Sequence, residues 1–303
     1  MHRIFITGGT GFFGKSILDY RLRHPEFLAD AEMTILSRDP AAFIAANPKL
    51  VAQAGLHFVK GDVRTFDFST FQHFNFSTVV HAATAAVTTL SDDEMYSTIV
   101  DGTRHVLEFA KSCGTKRILF TSSGAVYGPQ TAAVDEAAAT TPTTAYGRGK
   151  LAAEKMCVDS GIPTCIARCF AFTGPYLNRH IHFAIGNFIQ DCLDGKDIVI
   201  KGDGSPLRSY LFADDLVEWL FTILERGEPG RPYNVGSPHG LSIRELAETV
   251  RSALGTKNKI QVLGTPQAGN LPSVYVPVTT RAETELGLSL RTPLDEAIRL
   301  SAK

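Results

Sequence analysis

The chain has 303 residues, a formal net charge of -1 and 44% hydrophobic residues, which fits a globular protein with one large or two interlocked domains. The lack of a basic excess argues against nucleic-acid or anionic-membrane partners. The cysteines lack metal-ligand spacing, so we expect reduced thiols and no metal site; they are Cys113, Cys157, Cys165, Cys169 and Cys192. The apolar runs are strand-sized, too short for a signal peptide or a membrane span, and predict a cytoplasmic location.

Over the first half of the chain, short apolar runs alternate with segments of helical periodicity. The predicted strands are Arg3–Thr7, Met33–Ser37, Leu56–Lys60, Thr78–Ala82, Arg117–Ser122 and Pro163–Arg168. Helices are predicted at Met95–Cys113 and Ala145–Ser160, where apolar residues recur every three or four positions. Runs that are apolar on both faces suit a parallel sheet covered by helices on both sides, so we expect a doubly wound α/β fold of the Rossmann type.

In the second half, Gly174-Pro175 and Gly202-Asp203-Gly204 interrupt this rhythm. Helical patterns follow at Phe183–Leu193, Asp214–Glu225, Ser242–Leu254 and Leu294–Ser301. Because no Ser/Gly-rich linker separates the halves, we expect a smaller α/β domain that interleaves with the first. The predicted division is 1–170, joined by about 208–238, against 171–207 and 239–303.

A glycine-rich turn, Thr7-Gly8-Gly9-Thr10-Gly11-Phe12-Phe13-Gly14, follows the first strand and opens a helix. Gly8 permits a tight turn, Gly11 lets the backbone approach a pyrophosphate, and Gly14 allows close helix–strand packing. Amides at the helix start would bind the phosphates. A glycine triplet can also be a plain turn, but its position between a strand and a helix favours a dinucleotide site.

The tip of the second strand carries Ser37 and Arg38, where NAD-preferring sites place an acidic residue for the ribose hydroxyl. A small polar group and a cation suit a ribose phosphate, so the sequence favours NADP over NAD. Alternatively, Arg38 stacks on adenine, and Asp39 is adjacent.

Two further strand ends would line the same site. Asp62 and Val63 follow the third strand and would meet the adenine, although Asp62 is also a candidate helix cap. After the fourth strand, the small residues of Ala82-Ala83-Thr84 would let the backbone approach the cofactor. His81 is interpreted as a packed core histidine.

Tyr146 and Lys150 lie four residues apart and share one face of a predicted helix. A lysine ammonium and a cationic nicotinamide favour the phenolate of a tyrosine, whose ordinary pKa is about 10. Tyr146 would then exchange a proton with a substrate oxygen. Alone, the pair is a frequent surface accident, but Ser123 stands at the end of the fifth strand, where open α/β sheets bind ligands.

Taken together, these motifs resemble the extended short-chain dehydrogenases/reductases, a group of nucleotide-sugar epimerases, dehydratases and reductases, over nearly the whole chain. The resemblance implies a catalytic set of Ser123, Tyr146 and Lys150. It implies a cofactor site formed by Gly8, Gly11, Phe12, Phe13, Gly14, Ser37, Arg38, Asp62, Val63, Ala82, Ala83, Thr84, Tyr146 and Lys150.

The resemblance extends into the second half. It implies a substrate site formed by Thr84, Ser123, Ala171, Asn187 and Arg208, with Arg208 on the sugar nucleotide's pyrophosphate. Arg208 is alternatively a surface ion-pair residue. Departures include Ala171 and Ile99 in place of the family's frequent Asn, and Val278 in place of Asp. Gly124-Ala125 replaces the Asp-Glu pair of 4,6-dehydratases, which disfavours water elimination.

The remaining activities are a nucleotide-sugar 4-ketoreductase, favoured because Arg38 points to NADP, and a 4-epimerase. A non-catalytic NADP sensor is the rival from another class, and retention of Ser123, Tyr146 and Lys150 disfavours it. The resemblance also implies a homodimer in which segments 95–113 and 145–160 pair with their mates. The apolar positions Val106, Leu107, Phe109 and Ala110 fit such an interface or a core equally well.

Overall fold

The computed structural model describes residues 2–71, 75–84, 90–180, 183–265, 269 and 271–303. The chain divides into two compact units. The first unit comprises residues 1–128, 139–168 and 220–233, and the second comprises 129–138, 169–219 and 234–303. Each unit is therefore assembled from separated stretches of chain.

A seven-stranded sheet has the strand order β3-β2-β1-β4-β5-β6-β11. The strands are β1 (His2–Thr7), β2 (Ala31–Ser37), β3 (Leu56–Lys60), β4 (Thr78–His81), β5 (Arg117–Ser123), β6 (Thr164–Cys169) and β11 (Pro232–Val235). β1 pairs in parallel with both β2 and β4, while β2–β3 and β4–β5 are also parallel. The reversal of chain order between β1 and β4 marks a doubly wound fold, so the predicted fold class is confirmed.

All six predicted strands are present, with boundaries shifted by at most two residues. β4, β5 and β6 are almost fully buried, as both-face apolar runs require. β3 is only partly buried because it forms one edge of the sheet. The seventh strand, β11, was not predicted, since its four residues show no distinct apolar run.

The helices of the first half connect these strands. They are α1 (Phe12–Arg23), α2 (Pro40–Ala46), α3 (Pro48–Val51), α4 (Asp92–Ser112) and α5 (Ala145–Asp159). A capping box between Ser91 and Glu94 begins α4. The Thr144 hydroxyl accepts a hydrogen bond from the Gly147 amide and begins α5.

A phenylalanine cluster, formed by Phe5, Phe66, Phe71, Phe76 and Phe109, fills the space between the sheet and α4. The Phe109 ring centroid lies 4.7 to 5.8 Å from the other four. Val106, Leu107 and Ala110 are buried in the same core. The apolar positions of α4 that the sequence left open between core and dimer interface are therefore core residues.

The second unit contains short strands and four helices among its described residues. The helices are α6 (Ala184–Leu193), α8 (Ile243–Ala253), α9 (Thr280–Leu286) and α10 (Leu294–Ser301), and α7 (Ala213–Arg226) runs from this unit into the first. The strands are β7 (Phe172–Thr173), β8 (Ile198–Ile200), β9 (Leu207–Arg208), β10 (Leu211–Phe212), β12 (Leu241–Ser242), β13 (Ile260–Val262) and β14 (Val274–Tyr275). The apolar faces of α6, α8 and α10 share one core. Across the described stretches of both units, each helix is too short or too polar to cross a lipid bilayer.

Candidate active site

The glycine turn after β1 lies against the end of β4. Gly8 has a φ of +75°, and a side chain there would overlap the backbone carbonyl of Ala82. The Gly11 amide donates to the Gly8 carbonyl at 3.0 Å, which closes the turn. Because φ is positive and a side chain would overlap Ala82, only glycine fits at position 8, where the sequence predicted a tight turn.

Close packing of this turn on the second strand depends on Gly9, to which the sequence analysis assigned no role. A Cβ at Gly9 would lie 2.6 Å from Cγ2 of Ile35 in β2, whereas a Cβ at Gly14 would overlap the backbone of Gly9. Gly14 therefore lets α1 pack on the turn, and Gly9 lets the turn pack on the sheet. Because Gly9 falls outside the three-residue spacing of the motif, sequence spacing could not single it out.

The N-terminus of α1 fits a bound pyrophosphate. Its N-cap residue is Gly11, so no side chain caps the first amides of the helix. Gly11 itself is exposed, and a Cβ there would meet only the Gly8 carbonyl at 3.4 Å. The turn thus presents open space and uncapped amides, the two features that phosphate binding at a helix start requires.

At the end of β2, the side chains of Ser37 and Asp39 already accept hydrogen bonds from the backbone. The Asp39 carboxylate accepts from the Ala42 amide at 3.0 Å and caps α2, and the Ser37 hydroxyl accepts from the Asp39 amide at 3.3 Å. Ser37 is buried and Arg38 is exposed. Arg38 and Asp39 are both exposed at this strand end, and the Asp39 carboxylate is engaged in capping α2.

Asp62 follows β3, and both of its carboxylate oxygens accept hydrogen bonds from Arg64, at 3.0 and 3.3 Å. These bonds from Arg64 hold the pKa of Asp62 below its ordinary value, and the positive charge of Arg38 acts in the same direction. Val63 packs against α4, because a Cβ at Gly102 would lie 2.9 Å from its Cγ1. Asp62 is therefore engaged by Arg64, a partner that the sequence analysis did not identify, and Val63 packs on α4.

Lys150 is the central charge of the site. It is 2% exposed, and its Nζ donates to the Thr121 carbonyl of β5 at 2.7 Å. The same Nζ lies 5.0 Å from the ring centroid of Phe120 and 5.9 Å from that of Tyr146. A buried ammonium beside a phenol stabilises negative charge on the phenolic oxygen.

Ser123 ends β5 and begins a 3₁₀ turn over Gly124–Tyr127, where its buried hydroxyl accepts from the Ala125 amide at 3.1 Å. The first turn of α5 packs directly on this segment. A Cβ at Gly147 would lie 2.6 Å from the Ala125 carbonyl oxygen. Gly147 therefore brings the helix that carries Tyr146 onto the turn that begins at Ser123.

A buried ion pair holds α5 at Glu154, further along the helix. Arg168 of β6 donates to both carboxylate oxygens of Glu154, at 2.8 and 3.0 Å, and to the Tyr127 hydroxyl at 3.0 Å. The Ser122 hydroxyl also donates to Glu154. This bidentate pair ties α5 to both ends of the Ser123 turn.

The residues after β4 pack against the end of β1. The Ala82 amide donates to the Thr7 carbonyl at 3.1 Å, and the Ala83 amide donates to the Thr7 hydroxyl at 3.2 Å. Within the described part of the chain, the buried Thr84 hydroxyl oxygen has no hydrogen-bond partner. An orphaned buried hydroxyl is costly and fits a site completed by a ligand.

The remaining predicted substrate residues lie in the second unit. Arg208, on β9, donates to the Ser273 carbonyl at 3.1 Å. Asn187 is half-buried on α6, and Ala171 follows β6, where its carbonyl accepts from the Leu211 amide at 3.1 Å. The structure thus brings Ser123, Tyr146 and Lys150 together in the first unit and places these three residues in the second.

The side chains of this candidate site can transfer a proton. Among the residues described, no group of His, Cys, Asp or Glu has the arrangement of a metal site. Lys150 and Tyr146 lie one helical turn apart on α5, whose first turn packs on the segment that Ser123 begins. This arrangement can bind and protonate, or deprotonate, an oxygen atom.

Comparison with known proteins agrees with this architecture. Residues 4–236 match the model of the NAD dependent epimerase/dehydratase family. A UDP-glucose 4-epimerase of Streptomyces lividans is 28% identical, over 94% of this chain and 90% of its own length. UDP-glucuronic acid decarboxylase 6 of Arabidopsis thaliana is also 28% identical, over 98% of this chain and 87% of its own length.

Solved structures show the same fold. The UDP-glucuronic acid 4-epimerase of Bacillus cereus, in complex with UDP-glucuronic acid and NAD, superposes with a TM-score of 0.85 at 22% identity, covering 99% of this chain and 98% of that one. The Bordetella bronchiseptica enzyme WbmG, in complex with NAD, gives a TM-score of 0.80 at 27% identity, covering 99% and 93%. With its glycine turn, strand order and family match in agreement, the chain belongs to the NAD dependent epimerase/dehydratase family.

Proposed function

We propose that this chain transfers hydride at carbon 4 of a nucleotide-activated sugar, with Tyr146 as the acid/base. When bound, a nicotinamide cofactor accepts hydride from that carbon or supplies hydride to it. The buried Lys150 ammonium, 5.9 Å from the Tyr146 ring, is the observation that carries the proposal. Lys150 stabilises the phenolate, and Ser123 orients the substrate oxygen by hydrogen bonding.

The proposed cofactor is NADP or NAD, with NADP favoured. The fit rests on the uncapped amides of α1, the open space at Gly11 and the orphaned Thr84 hydroxyl. Arg38 supports NADP because it is exposed at the end of β2, where the neighbouring Asp39 carboxylate is engaged in capping α2. The NAD found in related structures supports the alternative.

Two reactions share this chemistry. A 4-ketoreductase supplies hydride to a 4-keto sugar while Tyr146 donates the proton, and Arg38 favours it because a reductase exchanges its cofactor in every cycle. A 4-epimerase removes hydride and returns it to the opposite face, and similarity to a UDP-glucose 4-epimerase favours it. A 4,6-dehydratase is disfavoured because Gly124 and Ala125, directly after Ser123, carry no carboxyl group.

The test is incubation of the purified chain with UDP- and dTDP-linked 4-hydroxy and 4-keto sugars, in the presence of NADPH, NADH, NADP or NAD. Product analysis is combined with absorbance at the reduced-nicotinamide band. Net cofactor consumption without an epimer supports the reductase, whereas interconversion without net consumption supports the epimerase. If neither product forms in any of these combinations, the proposal is rejected.

The Tyr146→Phe variant separates catalysis from cofactor sensing. It removes the hydroxyl and keeps the ring, so we expect turnover to fall about 10²- to 10⁴-fold while cofactor affinity stays within about twofold. A matched Tyr96→Phe variant removes a hydroxyl from a side chain that is 40% exposed on α4 and should leave turnover unchanged. Equal turnover of wild-type protein and Tyr146→Phe would contradict a catalytic role for the phenol.

A homodimer through α4 and α5 also remains a proposal. The buried α4 residues do not support it, but α5 borders an open groove of about 550 Å³ within the first unit, where Val158 is 51% exposed. Light scattering should give twice the monomer mass, and Val158→Asp should shift the mass toward the monomer. A monomeric wild-type protein would overturn this assignment.

A further inference from the structure

His81, the last residue of β4, lies in a fully hydrogen-bonded pocket beneath the candidate cofactor loop. Its Nδ1 lies 2.7 Å from the Thr7 hydroxyl oxygen, and its Nε2 lies 3.0 Å from the Thr103 hydroxyl oxygen. The ring is 3% exposed. Three elements, β1, β4 and α4, therefore meet at one imidazole.

The surrounding bonds determine the tautomer. Thr103 donates its hydroxyl proton to the Ile99 carbonyl at 2.7 Å, so it accepts from the ring, and Nε2 must carry the proton. Nδ1 then accepts the Thr7 hydroxyl proton, while the Thr7 oxygen accepts the Ala83 amide at 3.2 Å. Every polar atom in this chain of bonds is satisfied only with a neutral ring protonated at Nε2.

The backbone carbonyl of His81 is also linked to Lys150 through Thr121. The Thr121 hydroxyl of β5 donates to the His81 carbonyl at 3.3 Å, and the Thr121 carbonyl accepts from Lys150 Nζ at 2.7 Å. We refer to Thr7, His81, Thr103, Thr121 and Lys150 as the strand-end network. It connects the carboxyl ends of the adjacent strands β1, β4 and β5.

We propose that His81 is a positioning residue whose neutral ring, clamped between Thr7 and Thr103, fixes the loop of Ala82 to Thr84 against the glycine turn. The loop and the turn touch directly, since the Gly8 Cα faces the Ala82 carbonyl. Without the ring, the Thr7 hydroxyl that anchors the Ala83 amide loses its own orienting partner. The effect on cofactor affinity rests on the proposed function, whereas the effect on the loop does not.

Burial of the ring supports the neutral form. Burial lowers the pKa of His81 to about 3, and the positive charge of Lys150 acts in the same direction. The ring therefore stays uncharged throughout the range in which an enzyme of this kind is assayed.

Nitrogen-15 spectra of histidine-labelled protein test the tautomer, with His81→Gln used for assignment. We expect one neutral ring protonated at Nε2 whose shifts stay constant between about pH 5 and 8, the range over which an ordinary histidine titrates. A charged ring, or a ring protonated at Nδ1, would overturn the proposal.

Isosteric variants test the positioning role. Thr103→Val removes the acceptor for Nε2, and Thr103→Ser retains it. We expect Thr103→Val to weaken binding of the preferred nicotinamide cofactor about tenfold, as loss of one buried hydrogen bond does, with a smaller change in kcat. Thr103→Ser should keep cofactor affinity within about twofold of wild type.

Thr115→Val is the matched control, because the buried Thr115 hydroxyl donates to the Phe76 carbonyl at 2.9 Å, at the amino ends of β4 and β5 and away from their carboxyl ends. It should lower Tm without changing cofactor affinity. If Thr103→Val behaves like Thr115→Val, the role of the network is only structural and the proposal fails.

Hydrogen exchange of the Ala83 amide tests the positioning of the loop without relying on the proposed function. We expect protection in wild type and faster exchange in Thr103→Val, whether or not a cofactor binds. If wild-type protein binds neither NAD nor NADP, the proposed function fails, and the exchange result alone decides whether His81 positions the loop. Unchanged exchange in Thr103→Val would overturn the inference.

Discussion

Helix α4 covers the sheet of the first unit with two layers of opposite chemistry. Near its C-terminal end, Phe109 enters the phenylalanine cluster against Phe5 of β1. Two turns earlier, Thr103 enters the strand-end network, in which His81 joins it to Thr7 of the same strand. The contacts of the aromatic layer are non-directional and stabilise the fold by burying apolar surface. The hydrogen bonds of the polar layer are directional and determine which loop conformation forms.

This contrast predicts that damage to the two layers has separable consequences. Loss of an aromatic ring lowers the free energy of unfolding and leaves the chemistry of folded molecules intact. Loss of a strand-end contact changes cofactor binding or turnover at a temperature where the protein remains folded.

Phe109→Ala is expected to have the largest effect, on stability alone. Phe109 is fully buried among five other phenylalanine rings, so its truncation should cost about 3–5 kcal/mol of unfolding free energy. Urea unfolding measures this loss, and Phe109→Leu should lose clearly less. Turnover per folded molecule should equal that of wild type, and a selective loss of turnover would show that the two layers are not separable.

Gly147→Ala should show the converse, with a loss of activity that exceeds the loss of stability. The added Cβ would lie 2.6 Å from the Ala125 carbonyl oxygen, so α5 must shift and carry Tyr146 with it. A displacement of about 1 Å can reduce turnover about 100-fold. Gly202→Ala is the control, because a Cβ there meets open space; equal kinetics in the two variants would refute the contact.

Acid stability sharpens the comparison, because the polar layer contains a buried histidine ring whose pKa is lowered. The ordinary pKa of histidine is 6.5, and that of His81 is lowered to about 3. Between these values the unfolded chain takes up a proton that the folded ring excludes, so stability falls as the pH falls. Relative to His81→Gln, wild type should lose up to about 1.4 kcal/mol more per pH unit.

Urea titrations of both proteins at pH 6, 5 and 4 measure that difference, and the shared carboxylates cancel in the comparison. Phe109→Leu, which leaves His81 in place, should keep the wild-type slope. Parallel slopes for wild type and His81→Gln would mean that the buried ring takes up a proton as readily as the unfolded chain.

Arg38→Ala is expected to have the smallest effect, because Arg38 is exposed and belongs to neither layer. If it binds a ribose phosphate, NADP affinity should fall about tenfold and NAD affinity should change little. Lys60→Ala, at the exposed end of the adjacent strand β3, is the control. Equal loss for both cofactors would indicate stacking on adenine instead.

The sequence predicted the first unit well because local patterns determine its elements. Runs that are apolar on both faces predicted β1 to β6, and the spacing of Tyr146 and Lys150 predicted that they share one helix, α5. The two-residue strands of the second unit, such as β9 and β10, have no period to detect.

Within the site, the missed residues act through partners that are distant in sequence. Thr103 meets His81 across 22 positions, and Thr7 meets it across 74. His81 was expected to be a packed core histidine, and it is buried as expected, but its hydrogen-bond partners could not be inferred from spacing. Gly147 and Gly9 were likewise unassigned, because the need for glycine comes from tertiary contacts rather than from turn geometry.

The seventh strand has a consequence for the order in which the protein is made. β6 is complete at residue 169, but its neighbour β11 begins only at Pro232. During synthesis, or in a fragment that stops short of residue 232, the β6 border of the sheet stays open to pairing with another chain. Shortened versions that end after β6 should therefore aggregate unless residues 220–235 are supplied, covalently or as a peptide.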